Sequence, residues 1–334
     1  MFKKTIAFLM LCGSAFGFTS FNRSPAPQKP LLRPDSPEAN RPIGQTSAPC
    51  RNFAIFQSAK FLHTIVIDPG HGGFDPGTHG LIAKEKDIAL AISLRLGKLL
   101  QQAFPGIRVV YTRTTDIMPG NKPTLAEGIR YRAELANRSN GDLFICIHCN
   151  SNGRKAGSYP VKHLVRYRLV GKGRNKRTVP VYATAWIKNS TEGTTTYIWK
   201  ADRNLKKGAA VDAELRNGEN MGDSTGAAYN YDMSTPEAMM RAQLYEKKYF
   251  ANSALFGTLV EQEFKRAGRR SYGVQQRPIG IGVLEATGMP SVLIETGYLT
   301  NREEERYLAS KKGQNEVARD IVNAVKNYQR KILE

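Results

Sequence analysis

Acidic residues are in short supply. The 334-residue chain carries 29 Asp and Glu against 49 Lys and Arg, a formal net charge of +20. That imbalance favours polyanionic partners and bears on solubility, not on fold. Cysteine is scarce as well. If an N-terminal stretch with Cys12 is removed, Cys50, Cys146 and Cys149 remain, an odd number that excludes complete pairing within one chain. Cys146 and Cys149 flank His148, so thiolate ligation and plain burial as small apolar side chains are both open; the paired C-x-x-C motifs of a structural zinc site are missing. The glycine-rich turn Gly70-His71-Gly72-Gly73 lacks the spacings G-x-x-x-x-G-K-[ST] and G-x-G-x-x-G, which argues against a phosphate-binding loop. The apolar run from Ile6 to Phe18 is too short to span a bilayer, and no internal repeat is present.

What is there begins with an export pattern over residues 1–18: Lys3-Lys4, the apolar run, and a small-x-small site at Ala15-Phe16-Gly17. A retained membrane anchor is the alternative. Cys12 raises lipid anchoring, but Leu11 stands where such a site carries a small residue. Residues 19–59 hold Pro25, Pro27, Pro30, Pro34, Pro37, Pro42 and Pro49 with little apolar periodicity, which reads as a flexible tether. One catalytic domain is expected over residues 60–334.

Within it, strand and helix patterns alternate. Strands are expected at Thr64–Ile67, Ile107–Thr112, Leu143–Ile147, near Thr194–Trp199 and at Val292–Ile294. Helices are expected at about Lys84–Ala103 and Thr124–Arg138, within Pro236–Arg266, and from about Glu303. Such alternation predicts an α/β fold whose sheet is covered on both faces. Two stretches read as insertions. Residues 153–190 carry ten Lys or Arg and no Asp or Glu, with Val, Tyr and Thr runs that suggest a basic β-hairpin turning near Gly171–Arg177. Residues 202–234 are rich in glycine and charge and precede the long helix.

Three polar signatures close three of the apolar runs: Asp68-Pro69-Gly70-His71-Gly72-Gly73, His148-Cys149-Asn150-Ser151 and Glu295-Thr296-Gly297. Ligands of open α/β sheets bind outside the carboxyl ends of the strands, so two His and a Glu would converge at one rim. That is the geometry of a metallohydrolase. Catalytic zinc commonly takes three protein ligands and keeps a position for water. Glu85 is a candidate third ligand, because at helical spacing it shares a face with Ile88, Ile92, Leu96 and Leu99. Asp87, on the face of Ala91 and Leu94, competes, and spacing alone leaves both open. Glu295, near a metal, could act as general base. His63, His79 and His163 are read as non-ligands, and Asp68 as a loop-shaping acid or a support to a ligand His.

The run Ile65–Gly73, then Lys84-Glu85-Lys86-Asp87, Tyr111-Thr112-Arg113, Asp142–Ser151 and Met289–Asn301 resembles the zinc-dependent N-acetylmuramoyl-L-alanine amidases of the bacterial cell wall. The likeness covers most of residues 62–330 outside the basic insertion. It implies a mixed, mainly parallel sheet with helices on both faces. It also implies zinc held by His71, Glu85 and His148, catalysis by Glu295, and substrate orientation by Asn150. The sequence departs from the pattern at Glu285, where the family often has a basic residue, and in the stretch from Gln276 to Gly282, which is slightly expanded. The segment Tyr197–Leu255 resembles an insertion of amidases from diderm bacteria, in which a helix covers the zinc until an activator removes it; Glu219-Asn220 falls at the matching place.

The chain is therefore expected to be an exported zinc amidase of the periplasm, cutting between N-acetylmuramic acid and L-Ala of the stem peptide in wall remodelling or daughter-cell separation. Another zinc peptidase on peptidoglycan peptides, or a non-catalytic wall-binding relative, is the alternative. Expected partners are peptidoglycan, a protein activator, and an anionic surface met by the basic insertion. Nucleic acid is not among them, and the chain is expected to act as a monomer.

Overall fold

The computed structural model describes residues 61–200, 236–277 and 281–334. The expected export signal, the tether, Cys12, Cys50 and the 202–234 segment with Glu219 lie outside them. In chain order the strands are β1 (Thr64–Pro69), β2 (Arg108–Tyr111), β3 (Leu143–Asn150), β4 (Ser158–Val170), β5 (Arg177–Lys188), β6 (Thr194–Ile198), β7 (Ser271–Gln276) and β8 (Ser291–Tyr298). The helices are α1 (Glu85–Ala103), α2 (Leu125–Arg138), α3 (Pro236–Arg266), α4 (Gly282–Ala286), α5 (Arg302–Ala309) and α6 (Lys311–Leu333).

Six strands form one sheet in the order β2-β1-β3-β8-β6-β7, and β4 and β5 form a separate two-stranded ribbon. Strands β2, β1, β3 and β8 run parallel, β6 runs antiparallel to β8, and β7 is parallel to β6. The sheet is thus mixed and mainly parallel. Ile65, Val66 and Ile67 are all fully buried, as a β-branched run in a strand covered on both faces must be. Successive side chains point to opposite faces and feed two cores. Ile65, Ile67, Ile145, Ile147, Val292 and Ile294 pack under α1, α3 and α6. Val66, Phe144, Cys146 and Leu293 pack with Ala133 and Ala136 of α2 and Val283 and Leu284 of α4.

Local chemistry sets the element ends. Thr124 caps α2 by accepting from the Glu127 amide at 3.3 Å, and Asn301 caps α5 by accepting from Glu303 at 2.9 Å. Helix α1 has no side-chain cap; its first amides donate to loop carbonyls instead, Glu85 to Thr78 at 2.9 Å and Lys86 to Pro76 at 3.2 Å. That loop holds Glu85 at the first helical position, facing inward. Glu261 of α3 accepts from Thr194 and Thr196 of β6, both at 2.7 Å, and from Ser271 of β7 at 2.6 Å, which ties the helix to that end of the sheet.

The structure departs from the sequence reading in three places. The helix expected from Glu303 is two helices, because Ser310 is extended (φ −79°, ψ 145°) and its hydroxyl caps α6 by accepting from Gly313 at 2.9 Å. The strand at Thr194 ends at Ile198. Strand β7 and the short α4 were not anticipated.

Candidate metal centre

The chain leaves β1 for β2 on one side and returns to β3 on the other. A crevice opens at the carboxyl ends of strands where the order reverses in this way. His71 follows β1, His148 lies on β3, and Glu295 is its cross-strand neighbour on β8. Glu85 reaches the same rim from the start of α1.

His71 Nε2 lies 3.1 Å from Glu85 Oε1, and His148 Nδ1 lies 2.8 Å from the same oxygen. One ligand atom from each of the three residues falls within 4.8 Å of the others. The imidazole rings meet edge to face, with centroids 4.8 Å apart. Glu85 is buried, and its carboxylate also accepts from the amides of Thr78 (2.8 Å) and Cys149 (3.0 Å). Burial alone would raise its pKa, but the bonds to His148 and His71 pull it well below the usual carboxylate range. For His71 burial works toward a lower pKa, and Glu85 and Asp75 together outweigh it and raise it. Asp75 Oδ2 holds Nδ1 of His71 at 2.7 Å. A proton held there leaves Nε2 with its lone pair toward the cluster, the usual arrangement behind a ligating His. Two imidazoles, one buried carboxylate and a supporting acid fit a divalent metal ion.

Glu295 is buried, and its carboxyl is pushed up to about 7 by burial, with His148 and Arg277 opposing the rise and Glu85 adding to it. Oε1 accepts from Arg277 at 3.0 Å, and the Arg277 guanidinium stacks 4.6 Å from the Tyr197 ring. Oε2 is buried without a hydrogen-bond partner among the described residues. A carboxylate with one oxygen engaged and the other without a hydrogen-bond partner can take and return a proton.

The loop that carries His71 is held under load. His71 has φ 56°, a left-handed conformation uncommon outside glycine. Two buried arginines clamp it: Arg132 donates to Pro69 O (2.8 Å) and His71 O (2.6 Å), and Arg113 to Pro69 O (3.1 Å) and Gly70 O (2.7 Å). Burial lowers the Arg113 pKa to about 10, which leaves it cationic at neutral pH. Gly70 is required by space, since a Cβ there would stand 2.5 Å from the His148 ring.

Several sequence-based expectations take definite positions. Asp87 is exposed and outside the cluster, while Glu85 is inside it. His63, His79 and His163 are exposed and do not join it. Asp68 makes no hydrogen bond to a ligand His, but it pairs with Arg132, which donates to the carbonyls of Pro69 and His71 and so helps to shape the loop. It is buried at the end of β1, paired with Arg132 and bonded by Thr112 at 2.5 Å and Cys146 at 2.9 Å. Cys146 and Cys149 are unpaired, buried, and outside the cluster, and burial pushes both thiols well up. Asn150 Oδ1 accepts from the Ser151 amide at 2.8 Å, fixing the turn out of β3. Glu285 is buried in α4. Asp75, Arg113, Arg132 and Arg277 were not read as site residues; the D-P-G context of Asp75 has the look of an ordinary turn.

An α/β sheet that presents a His-Glu-His set at its carboxyl rim, with a buried carboxylate on the next strand, has the architecture of a metal-dependent hydrolase. The chain belongs to the N-acetylmuramoyl-L-alanine amidase family (Amidase_3), which matches residues 65–327. It is similar to N-acetylmuramoyl-L-alanine amidase AmiC of Escherichia coli O6:H1, at 25% identity over 265 residues, 79% of this chain and 52% of that protein. It is also similar to a putative N-acetylmuramoyl-L-alanine amidase of Buchnera aphidicola, at 26% over 271 residues, 79% of this chain and 95% of that protein. The CwlD amidase from Clostridioides difficile, solved in complex with the GerS lipoprotein, shares the fold with a TM-score of 0.50 at 22% identity, over 80% of this chain and 98% of that one. The chain spans about half the length of several curated relatives it matches, AmiC among them.

Proposed function

We propose that this chain is a zinc-dependent peptidoglycan amidase that hydrolyses the amide between N-acetylmuramic acid and the L-Ala of the stem peptide. The observation that carries the reading is the convergence of His71, Glu85 and His148 within 4.8 Å, beside Glu295 on the adjoining strand. Family membership supplies the substrate class.

His71, Glu85 and His148 would hold the zinc. When bound, the ion supplies Lewis acidity toward the amide carbonyl and makes a water easier to deprotonate. Asp75 keeps the His71 proton on Nδ1, and the Thr78 and Cys149 amides fix the Glu85 carboxylate. Glu295 takes the proton of the attacking water on Oε2 and delivers it to the departing L-Ala amine. Arg277 occupies Oε1 and favours the anion that this step needs. Asn150, at the same rim, would orient the substrate. We place the action in the periplasm after export through residues 1–18, which the pattern of Lys3-Lys4, Ile6 to Phe18 and Ala15-Phe16-Gly17 supports.

Digestion of purified peptidoglycan with mass analysis of the products tests the reading. The expected products keep an intact lactyl group on muramic acid and carry a free L-Ala amine; cuts only within the peptide would overturn it. Glu295→Ala should retain zinc and lose about 10²–10⁴-fold in rate, whereas His148→Ala should lose the metal itself.

A further inference from the structure

Ten cations and no acid lie in residues 153–190, and most of that stretch is the β4–β5 ribbon. Neither strand joins the central sheet. With 13 residues in β4 and 12 in β5, the ribbon is about 40 Å long at about 3.4 Å per residue. Its foot is fastened to the body: Gly157 donates to Thr300 O at 2.9 Å, and Lys188 pairs with Glu303 at 2.9 Å. Beyond the foot the side chains are exposed or half-buried. Two-stranded ribbons of this kind are marginal in water on their own.

Alternation sorts the ribbon into two faces, one with Tyr167, Tyr182 and Trp186 and the other with Val161, Val179, Val181 and Ile187 beside Arg166 and Arg168. Pro180, Tyr182 and Trp186 share one face of β5, and their partners Tyr167, Leu164 and Pro160 share it from β4. The register shifts at Val165. That one extra residue brings Tyr167 and Leu169 to this face and sends Arg166 and Arg168 to the other. The result is a strip with Trp186 63%, Tyr182 57%, Tyr167 64% and Leu169 60% exposed. The pair Lys162–Thr184 lies on the same face between Tyr182 and Trp186, so one cation interrupts the strip; large apolar side chains gathered on one exposed face in this way mark an interaction site. The turn beyond it carries Lys172, Arg174, Lys176 and Arg177.

The chemistry that complements this surface has an apolar interior under an anionic layer. Trp and Tyr settle at the boundary of a bilayer, aliphatic side chains go below it, and Lys and Arg reach the headgroups. A glycan is a poorer match. A sugar strand could stack on the aromatic rings but offers Leu164 and Leu169 no apolar interior, and between Ser158 and Lys188 the ribbon has one side-chain amide, Asn175, and no carboxylate to accept from its hydroxyls. We infer that the β4–β5 hairpin docks the protein on an anionic lipid bilayer.

The chain has two tryptophans, and Trp199 is buried, so a change in emission on adding lipid reports Trp186. The purified full chain is mixed with vesicles of phosphatidylcholine alone or with phosphatidylglycerol, at low and high salt. With the anionic vesicles the emission should move to shorter wavelength and the protein should sediment with them, less so at high salt. Replacing Lys172, Arg174 and Lys176 by Ser should weaken that partitioning roughly a hundredfold, at about fivefold per cation. Trp186→Ser with Tyr182→Ser should abolish the shift and most of the sedimentation. Hydrolysis of soluble peptidoglycan fragments and the thermal unfolding midpoint should be unchanged in both variants, which shows that they fold. All three proteins share residues 1–60, so any lipid affinity of that segment is common to them. Equal binding to neutral and anionic vesicles, or variants that bind like wild type, would overturn the inference. Binding to purified sacculi that the variants lose, without vesicle binding by any of the proteins, would overturn it in favour of a wall contact.

Discussion

His71 has a left-handed backbone conformation; Arg132 holds its carbonyl, Arg113 the carbonyl of Gly70 before it, and Asp75 its imidazole. Asp75→Ala removes the acceptor that fixes the Nδ1 proton. Zinc affinity, measured by competition with a chelating dye, should fall about 10–100-fold; unchanged affinity would make the contact incidental. Arg277 acts on the other carboxylate. Burial raises the Glu295 pKa to about 7, and Arg277 is one of the groups that oppose the rise. A general base works as the anion, so activity falls as pH drops through its pKa. Removing the guanidinium raises that pKa further. Arg277→Ala should therefore move the acidic limb of kcat/KM to higher pH and leave the alkaline limb in place; an unmoved acidic limb would count against a role for this pair. His71, His148 and Glu295 were legible because each follows or closes an apolar strand, whereas Glu85 shares its helix start with Asp87 and only the family resemblance chose between them. The sequence hid Arg277 because the relation to Glu295 exists only once β7 and β8 share a sheet. How Asp68 acts on the loop was hidden for a similar reason: its partner Arg132 is one of several polar residues on α2, and only the docking of that helix selects it.

Among the elements, the close approach of the β1 loop to the end of β3 controls the site. Gly70 lies under the His148 ring, with no room for a methyl group. Gly70→Ala should push the ring aside at a cost of about 1–3 kcal/mol. The expected result is a lower unfolding midpoint with substoichiometric zinc, and full metal content would show that the loop can yield. Strands β1, β3 and β8 and helices α1 and α2 were legible because their apolar spacing is strong and long. Strand β7 was not, since Ser271-Tyr272-Gly273-Val274-Gln275-Gln276 at the sheet edge is half polar and interrupted by glycine. The break between α5 and α6 was missed because Ala309-Ser310-Lys311 contains neither glycine nor proline, and the turn rests on one hydroxyl.

For the molecule as a whole, one acid stands out where α3 and α6 pack. Burial raises the Asp320 carboxyl to about 6, with Glu263 adding to the rise, and its Oδ2 lacks a hydrogen-bond partner among the described residues. The folded protein thus holds this proton more tightly than the unfolded chain, whose Asp titrates near ~3.9. Stability from this group is complete below that value and is lost as pH rises through about 6. Asp320→Asn should leave the midpoint unchanged at low pH and raise it at neutral pH. Allowing for screening of a half-buried group, the gain is about 1 kcal/mol, or about 2–4 °C. A loss at neutral pH would mean that the carboxylate has a favourable partner. The strand order carries a different consequence, one of timing. Strand β8 sits in the middle of the sheet, between β3 and β6, yet it is the last strand of the chain. Until residues 291–298 are made, β3 keeps an open edge, and pairing so distant in sequence is slow to form. The three proposed ligand residues emerge early, and the proposed base arrives with the strand that completes the sheet. On the proposed mechanism the site is therefore armed last: a growing or truncated chain carries the proposed metal ligands without the proposed base.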